Sequence, residues 1–218
     1  MKTEQELRNS TDWDMLEFNL GIDIDQLVNW YNDVTVSLAD LKFNLSMSEL
    51  ITSNHKPSDD VRIVSQGIHS WGMSWPVEQD LPIPPKFAAR PDLYPEAQDP
   101  EFEKKLRIME KYKFGYFNKL LDRLGEDTFA WSRITLHNAG ASIDTHTDGP
   151  HTIRLHIPII TNEQAFFVWG EKQYIFKPGK MYLINTSIPH STNNKGTSDR
   201  AHIISHPTNV AWLLKNLR

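Results

Sequence analysis

Residues 133–160 read RITLHNAGASIDTHTDGPHTIRLHIPII and give the clearest indication of the fold. Two runs rich in Ile, Leu and Thr cover this region, Phe129–His137 and Thr152–Ile160. Between them lie turn-forming residues at 138–140 and 148–150. Short runs of this composition bounded by turn residues are typical of β-strands.

The second run also carries a polar face. Arg154 and His156 alternate with Ile153, Leu155 and Ile157. Successive side chains of a strand point to opposite faces, so the two polar side chains share one face. In a small barrel, a polar inner face indicates a site.

The rest of the C-terminal half shows the same pattern of short apolar runs separated by turn residues. Further runs rich in Ile, Val, Phe and Tyr predict strands at Ala165–Trp169, Tyr174–Phe176, Lys180–Asn185 and Ala201–Ser205. Turn residues separate these runs, and one such turn is expected at Asn193–Gly196. Because no helix-period segment lies among them, the pattern predicts an antiparallel sandwich or barrel.

The N-terminal region gives weaker patterns. Ile24–Tyr31 predicts a short helix, and Val34–Leu45 alternates loosely as a strand would. Residues 76–100 hold seven of the thirteen prolines, which predicts an extended, irregular segment because proline fixes φ and removes an amide donor. Trp71 and Trp75 just before it are expected to anchor that segment or to line a pocket.

A long helix is predicted to follow, from Pro100 to Leu124. Asp99 suits the N-cap and Pro100 the first helical position. Gly125 is a natural stop. The predicted apolar stripe consists of Phe102, Leu106, Met109, Tyr112, Phe117, Leu120, Leu121 and Leu124.

Composition narrows the functional class. The 218 residues include 23 Lys and Arg against 28 Asp and Glu, a formal net charge of −5, which argues against nucleic-acid binding. A hydrophobic content of 39% with seven Trp argues against a disordered chain. No apolar run is long enough to cross a bilayer, and the polar segment Met1–Ser10 does not resemble a secretory signal. A cytoplasmic protein without membrane or nucleic-acid partners is therefore expected.

The absence of cysteine restricts the metal chemistry. It removes disulfides, thiolate nucleophiles and iron–sulfur clusters together. A metal bound here must use imidazole and carboxylate ligands, which suit Fe(II), Mn, Co, Ni or Zn. The nine histidines supply candidates.

The main candidate is His146-Thr147-Asp148. On an extended backbone residues i and i+2 point the same way, so an imidazole and a carboxylate can converge on one ion. A His-x-acid pair is expected about once by chance in a chain of this composition, so the pair alone carries little weight. His190, after the predicted strand Lys180–Asn185, completes two histidines and one carboxylate, the ligand set of non-haem Fe(II) oxygenases.

Arg200, ten residues after His190, is the candidate for binding a co-substrate. An arginine fork pairs well with a carboxylate and stays charged when partly desolvated. The alternative for Arg200 alone is a surface charge at the start of a strand. His202 either faces the same cavity or is a buried strand residue, and Asp144 either orients His146 or is solvated.

Together these features resemble the aspartyl/asparaginyl β-hydroxylase family of Fe(II)/2-oxoglutarate dioxygenases. The resemblance runs from Thr135 to Pro207, about a third of the chain. The residues that carry it are Gly140, His146, Gly149-Pro150, Arg154-Leu155-His156, Trp169, Gly179-Lys180-Met181, His190, Arg200 and His206-Pro207.

The resemblance implies a role for each matched residue. His146 and His190 would ligate Fe(II), and Arg200 would bind the distal carboxylate of 2-oxoglutarate. Arg154, His156 and Thr135 resemble further contacts to this co-substrate, and O2 would be the second co-substrate. Asp148 departs from the vertebrate endoplasmic-reticulum members, which have Gly there, so the chain resembles the bacterial and phage-type branch, which includes free-amino-acid hydroxylases.

The resulting prediction is a mainly β protein with helices. A double-stranded β-helix of the jelly-roll or cupin-like type would occupy residues 126–218, and a helical and irregular region, residues 1–125, would pack on it within the same domain. The predicted reaction hydroxylates an amino acid or aminoacyl side chain, free or in a peptide, and releases succinate and CO2. The alternatives are a non-catalytic cupin-like protein that binds a metal or small acid, and a zinc hydrolase with the same ligands.

Overall fold

The computed structural model describes residues 2–39, 44–45, 62–65, 67–76, 106–149 and 152–217. Its strands are, in chain order, β1 (Met15–Phe18), β2 (Asn44–Leu45), β3 (Arg62–Ser65), β4 (Ile68–Gly72), β5 (Ser74–Pro76), β6 (Leu106–Ile108), β7 (Arg133–His137), β8 (Ser142–His146), β9 (Ile153–Ile160), β10 (Ala165–Trp169), β11 (Lys172–Tyr174), β12 (Met181–Asn185), β13 (His190–Asn194) and β14 (Arg200–Ser205). Its α-helices are α1 (Glu4–Arg8), α2 (Ile24–Ala39), α3 (Gly115–Leu124) and α4 (Val210–Asn216), with 3₁₀ turns at Glu110–Tyr112 and Glu126–Phe129.

Two sheets form the body of the molecule. The larger has eight strands in the order β1-β12-β9-β14-β7-β4-β3-β2, and the smaller has four in the order β11-β10-β13-β8. Strands β5 and β6 form a separate pair. Except for the parallel pair β2 and β3, neighbouring strands are antiparallel. The prediction of a mainly β protein built on a double-stranded β-helix is confirmed.

The larger sheet has one apolar and one polar face where β9, β14 and β7 lie side by side. Leu155, Ile157 and Ile203 are fully buried in the main core, which they share with α2 and α3. Arg154 and His156, on the opposite face, line a cavity together with residues of the smaller sheet. The alternation predicted for β9 therefore places a polar surface inside the molecule.

Helix α2 is longer than predicted. It continues to Ala39, so the prediction of a strand beginning at Val34 is wrong for residues 34–39. The reason is a buried helical stripe at spacings of three and four, formed by Leu27, Trp30, Tyr31 and Val34. Burial along this stripe outweighs the β-propensity of the Val-Thr-Val run at the end of the helix.

The predicted long helix is shorter in the structure. Residues 106–108 form strand β6, in which Leu106 and Ile108 are buried on either side of a half-buried Arg107. Helix α3 begins at Gly115, whose φ of +55° is a conformation that favours glycine. The start predicted at Asp99 and Pro100 lies outside the described residues. Gly125 ends the helix as predicted, donating its N–H to Leu121 O at 2.8 Å.

The N-terminal region also contributes strands to the larger sheet. Strand β1 pairs with β12, and β4 pairs with β7, so both halves of the chain share one sheet. Trp71 in β4 is buried, whereas residues 77–100 and the side chain of Trp75 lie outside the described part. Among the helices described, none is both long and apolar enough to cross a membrane.

Candidate metal centre and cavity

The three predicted metal ligands lie where two strands of the smaller sheet begin and end. His146 ends β8 and His190 begins β13, and the two are register partners with ring centroids 4.4 Å apart. Asp148 follows β8, and its amide N–H donates to Thr186 O at 2.9 Å. The structure brings the three side chains together, with one ligand atom of each within 4.8 Å of the others.

Hydrogen bonds orient both imidazoles. Nδ1 of His146 lies 2.8 Å from Asp144 O, and Nδ1 of His190 lies 2.9 Å from Ile188 O. Because a carbonyl only accepts, each Nδ1 carries the proton and each Nε2 has a free lone pair. The main-chain carbonyl of Asp144 thus orients His146, while the carboxylate of Asp144 is exposed.

The free nitrogens face the Asp148 carboxylate. Nε2 of His146 lies 3.7 Å from Asp148 Oδ1, and Nε2 of His190 lies 3.7 Å from Oδ2. Arg154 Nη2 pairs with Oδ1 at 2.8 Å, whereas buried Oδ2 accepts no hydrogen bond. Burial raises the pKa of Asp148, but Arg154 and then His190 outweigh burial, so the pKa lies below its usual value.

This donor set fits Fe(II). It offers two imidazole nitrogens and one carboxylate, which is the facial arrangement found in non-haem iron oxygenases. Ligand atoms about 2 Å from a common ion lie roughly 3–4 Å apart. The two 3.7 Å separations fall in that range, and the unpaired Oδ2 is the kind of buried oxygen that a cation satisfies.

Arg200 lines the same cavity from strand β14 of the larger sheet. Its side chain is buried, and its guanidinium contacts His202 at 3.2 Å and His137 at 3.5 Å. No carboxylate in the described part of the chain lies within ion-pair distance of it. Burial lowers the pKa of Arg200 to about 10, so the group is charged at neutral pH and lacks a counter-charge.

The remaining residues that the resemblance implied also line the cavity. Arg154 and His156 project from β9, and Thr135 projects from β7. The hydroxyl of Thr135 is buried and has no hydrogen-bond partner among the described residues, so it is available to a ligand. His156 Nδ1 lies 3.2 Å from Nδ1 of His202, which packs on Arg200.

The histidines around Arg200 are neutral. Burial, and then the charge of Arg200, lowers the pKa of His137 to about 3. The same two causes hold the pKa values of His156 and His202 well below their ordinary value. Arg200 is therefore the charged group of this cluster, and His202 contacts it rather than filling an unrelated part of the core.

Arg133 is a charged residue of the cavity that was not predicted from the sequence. It lies on β7 and lines the cavity with Thr135 and His137, the alternate residues of that strand. The same period-two alternation that singled out Arg154 and His156 on β9 would have identified it. Thr192, on β13, also lines the cavity with a buried hydroxyl that has no partner in the described part of the chain.

Comparison with known proteins agrees with this site. Residues 108–207 match the family model described as aspartyl/asparaginyl β-hydroxylase. The match begins at Ile108 in β6, upstream of Thr135, where the resemblance in the sequence began. A search of curated proteins found no match.

Several solved structures are similar at low identity. A 2OG-Fe(II) oxygenase family oxidoreductase of Burkholderia pseudomallei is 10% identical, with 93% of this chain and 88% of that chain covered and a TM-score of 0.44. A Pseudomonas putida prolyl-4-hydroxylase is 9% identical, with 92% and 95% covered and a TM-score of 0.41. A predicted oxalate decarboxylase of Thermotoga maritima is 13% identical, with 45% and 73% covered and a TM-score of 0.31.

The family match stands independently of these structures, and it spans the strands that carry the His-x-Asp and distal His residues. Residues 108–207, which are 100 of the 218 residues, thus match the aspartyl/asparaginyl β-hydroxylase family over the segment that holds His146, Asp148, His190 and Arg200.

Proposed function

We propose that the protein hydroxylates an amino acid or an aminoacyl side chain, using Fe(II), 2-oxoglutarate and O2. In this proposal His146, Asp148 and His190 hold the metal, and Arg200 holds the distal carboxylate of 2-oxoglutarate. The proposal rests on one observation: the same cavity holds both a set of metal ligands and a cation that lack a partner in the described part of the chain. A three-residue donor set has free ligand atoms, and a buried guanidinium has no acid beside it.

Arg200 selects the co-substrate by charge and shape. A planar guanidinium binds a carboxylate through two parallel hydrogen bonds, and burial strengthens that interaction. The buried hydroxyl of Thr135 has no hydrogen-bond partner among the described residues, so it can donate a further hydrogen bond to the co-substrate. Thr135 lies beside Arg200 because its register partner on β14 is His202, which contacts Arg200. Together they favour an acid that reaches from this end of the cavity to the metal.

The metal-binding residues fix the geometry of the reaction. When bound, Fe(II) supplies the oxygen chemistry that couples decarboxylation of 2-oxoglutarate to hydroxylation of the substrate. Asp148 contributes the one negative charge of the donor set, and Arg154 holds that carboxylate in place at 2.8 Å. Phe167 stacks on His190 with ring centroids 5.2 Å apart, which keeps water from one side of the imidazole.

Spectroscopy under anaerobic conditions tests the proposal. Fe(II) and 2-oxoglutarate added to the protein should give a weak visible charge-transfer band, and oxygen should then convert 2-oxoglutarate to succinate. The band should be absent in His146→Ala. It should persist in Asp144→Asn, the matched control, because that substitution alters an exposed carboxylate and leaves the main-chain carbonyl in place.

Other outcomes would favour the two alternative functions, a non-catalytic binding protein and a zinc hydrolase. Metal binding without a band and without succinate would indicate a protein that only binds a metal or an acid. Chelator-sensitive hydrolysis that is indifferent to 2-oxoglutarate and oxygen would indicate a zinc hydrolase.

A further inference from the structure

His202 is a buried histidine beside the cavity to which the proposed reaction gives no task. We propose that His202 is a positioning residue, which accepts a hydrogen bond from Arg200 and donates one to His156. His156 is thereby held as the tautomer whose Nε2–H donates to a carboxylate oxygen of 2-oxoglutarate. This inference rests on the proposed function, because it takes the 2-oxoglutarate site as given, and it adds the residue that makes His156 a donor.

His202 lies between Arg200 and His156 on the polar face of the larger sheet. Arg200 comes two residues earlier on β14, and alternate residues of a strand share a face. On β9 the register partner of His202 is Pro158, and His156 comes two residues before Pro158. The side chains of Arg200, His202 and His156 therefore follow one another across two neighbouring strands.

Both imidazoles are neutral, so each has one N–H and one ring nitrogen with a lone pair. Burial, and then the charge of Arg200, holds the pKa values of His156 and His202 well below their ordinary value. The two Nδ1 atoms lie 3.2 Å apart, and a hydrogen bond between them needs one protonated and one unprotonated nitrogen. The two rings must therefore be opposite tautomers, and the position of one proton fixes the position of the other.

Arg200 decides which of the two arrangements is present. Its Nε lies 3.2 Å from His202 Nε2, and its Nη2 lies 3.2 Å from His202 Nδ1. A guanidinium only donates and a neutral imidazole has one lone pair, so only one of these contacts is a hydrogen bond.

The choice between the two contacts follows from the number of buried donors that lack an acceptor. If His202 accepts at Nδ1, its Nε2–H faces the Nε–H of Arg200, and neither donor has an acceptor. If His202 accepts at Nε2, its Nδ1–H donates to His156 Nδ1, and only Nη2 of Arg200 is left for a ligand. Because unsatisfied buried donors are costly, the second arrangement is favoured.

The proton of His156 then lies on Nε2. His156 lines the cavity, and its Nε2 contacts no hydrogen-bond partner among the described residues. Phe167 and Phe176 pack edge-on against the ring, each with its centroid 5.7 Å away, which fixes the orientation of the ring. An N–H at this place attracts the oxygens of an acid, whereas a lone pair would repel them.

NMR spectroscopy measures the tautomers directly. The 218-residue chain, labelled with ¹⁵N in its histidines, is loaded with Zn(II) as a diamagnetic stand-in for Fe(II). The ring nitrogens are observed through their couplings to the ring hydrogens, and single histidine substitutions assign the signals. At pH 7.5 we expect the proton of His202 on Nδ1 and the proton of His156 on Nε2.

Two substitutions separate positioning from packing. His202→Leu removes the donor to His156, whereas His202→Gln keeps an oxygen that accepts from Arg200 and an N–H that donates to His156. In an anaerobic titration of the charge-transfer band, His202→Leu should raise the half-saturating concentration of 2-oxoglutarate about three- to tenfold, and His202→Gln should restore it. His206→Gln is the matched control and should titrate like the wild type, because His206 is a buried histidine that does not line the cavity.

A double variant shows whether His202 acts through His156. His156→Leu alone should also weaken the binding of 2-oxoglutarate. The double variant His156→Leu/His202→Leu should weaken it by less than the product of the two single effects, since residues in one hydrogen-bonded network are coupled. A loss equal to that product would mean that His202 acts independently of His156.

Several results would overturn the inference. A proton of His202 on Nε2, or a charged imidazole at either position, would exclude the proposed tautomers. An unchanged 2-oxoglutarate midpoint in His202→Leu would exclude the positioning role, and if that variant does not fold, the wild-type tautomers decide alone. A wild-type protein that gives no band would remove the proposed function itself, and this failure is distinct because the tautomers are measured without 2-oxoglutarate.

Discussion

Asp148 is the residue on which the metal centre depends most. It faces both free imidazole nitrogens at 3.7 Å, and it is the acidic partner of Arg154. Removal of its charge takes one ligand from the metal and leaves the Arg154 guanidinium without its acidic partner. Both effects act against binding of a cation.

Asp148→Asn should therefore weaken Fe(II) binding by at least about tenfold, since even residues that only orient a metal ligand contribute 10- to 100-fold. Anaerobic titration of the charge-transfer band with Fe(II) measures this. Asp144→Asn is the matched control and should titrate like the wild type. Equal Fe(II) affinity in the wild type and Asp148→Asn would mean that Asp148 is not a ligand.

Arg200 is expected to act on the co-substrate alone. Arg200→Met removes the charge-assisted hydrogen bonds to the distal carboxylate and should raise the 2-oxoglutarate concentration needed for half-saturation about 10- to 100-fold. Arg200→Lys should recover only part of this loss because an ammonium lacks the planar fork. Titration of the band with 2-oxoglutarate at saturating Fe(II) checks both variants, and an unchanged midpoint in Arg200→Met would refute the assignment.

Single residues were the easiest part of the site to predict. His146, Asp148, His190 and Arg200 are chemically distinctive, and their spacing matches a known family, so they stood out without any structure. Arg133 has no such motif. Its place in the cavity depends on which face of β7 turns inward, and that requires the register of the sheet.

Among the secondary-structure elements, α3 illustrates why helix boundaries are hard to predict. Apolar residues recur at helical spacing from Phe102 to Leu124, yet Leu106 and Ile108 are buried in a strand that pairs with β5. Short apolar patterns fit both the helical period of 3.6 residues and the strand period of two residues, and pairing with another strand decides between the two structures. Strand β13 was not predicted because its sequence, HSTNN, has no alternation of apolar and polar residues. It is nevertheless a strand, since it pairs with β10 on one side and β8 on the other.

The packing of α3 on α2 makes a testable claim about stability. Phe117 is fully buried and stacks on Trp30 with ring centroids 4.7 Å apart. Phe117→Ala should lower the free energy of unfolding by about 3–5 kcal/mol, since it removes a buried aromatic side chain and leaves a cavity. Phe114→Ala, at an exposed position just before the helix, should cost much less. Urea denaturation of both variants compares them, and equal losses would contradict the packing of α3.

Taken as a whole, the molecule encloses a cavity of buried neutral histidines. The pKa of His137 is lowered to about 3, chiefly by burial, and those of His156 and His202 are lowered too. Below pH about 6.5 the unfolded chain takes up protons that the folded protein excludes. The stability from these groups is therefore complete above that pH and declines as the pH falls from about 6.5 toward the folded-state values.

The expected decline is up to about 1.4 kcal/mol per pH unit for each such histidine. Denaturant unfolding between pH 7.5 and pH 5 measures this decline. His137→Gln should reduce the dependence of the free energy of unfolding on pH by the contribution of one histidine. A free energy of unfolding that is constant over this range would mean that these histidines are not buried in the neutral form.

The overall architecture was predictable in the C-terminal half, where regular runs and turns mark the strands. The N-terminal contribution was not, because β1 and β4 are short and their pairing with β12 and β7 is long-range. These strands complete the larger sheet, and Ser70 of β4 reaches the cavity.

The assignment of the metal ligands and of Arg200 is best tested by a crystal structure of the protein grown without oxygen in the presence of Mn(II), as a stand-in for Fe(II), and 2-oxoglutarate. We expect one metal ion bound by His146 Nε2, His190 Nε2 and an Asp148 carboxylate oxygen, with the distal carboxylate of 2-oxoglutarate on the Arg200 guanidinium. A metal bound elsewhere, or 2-oxoglutarate bound away from Arg200, would contradict this assignment.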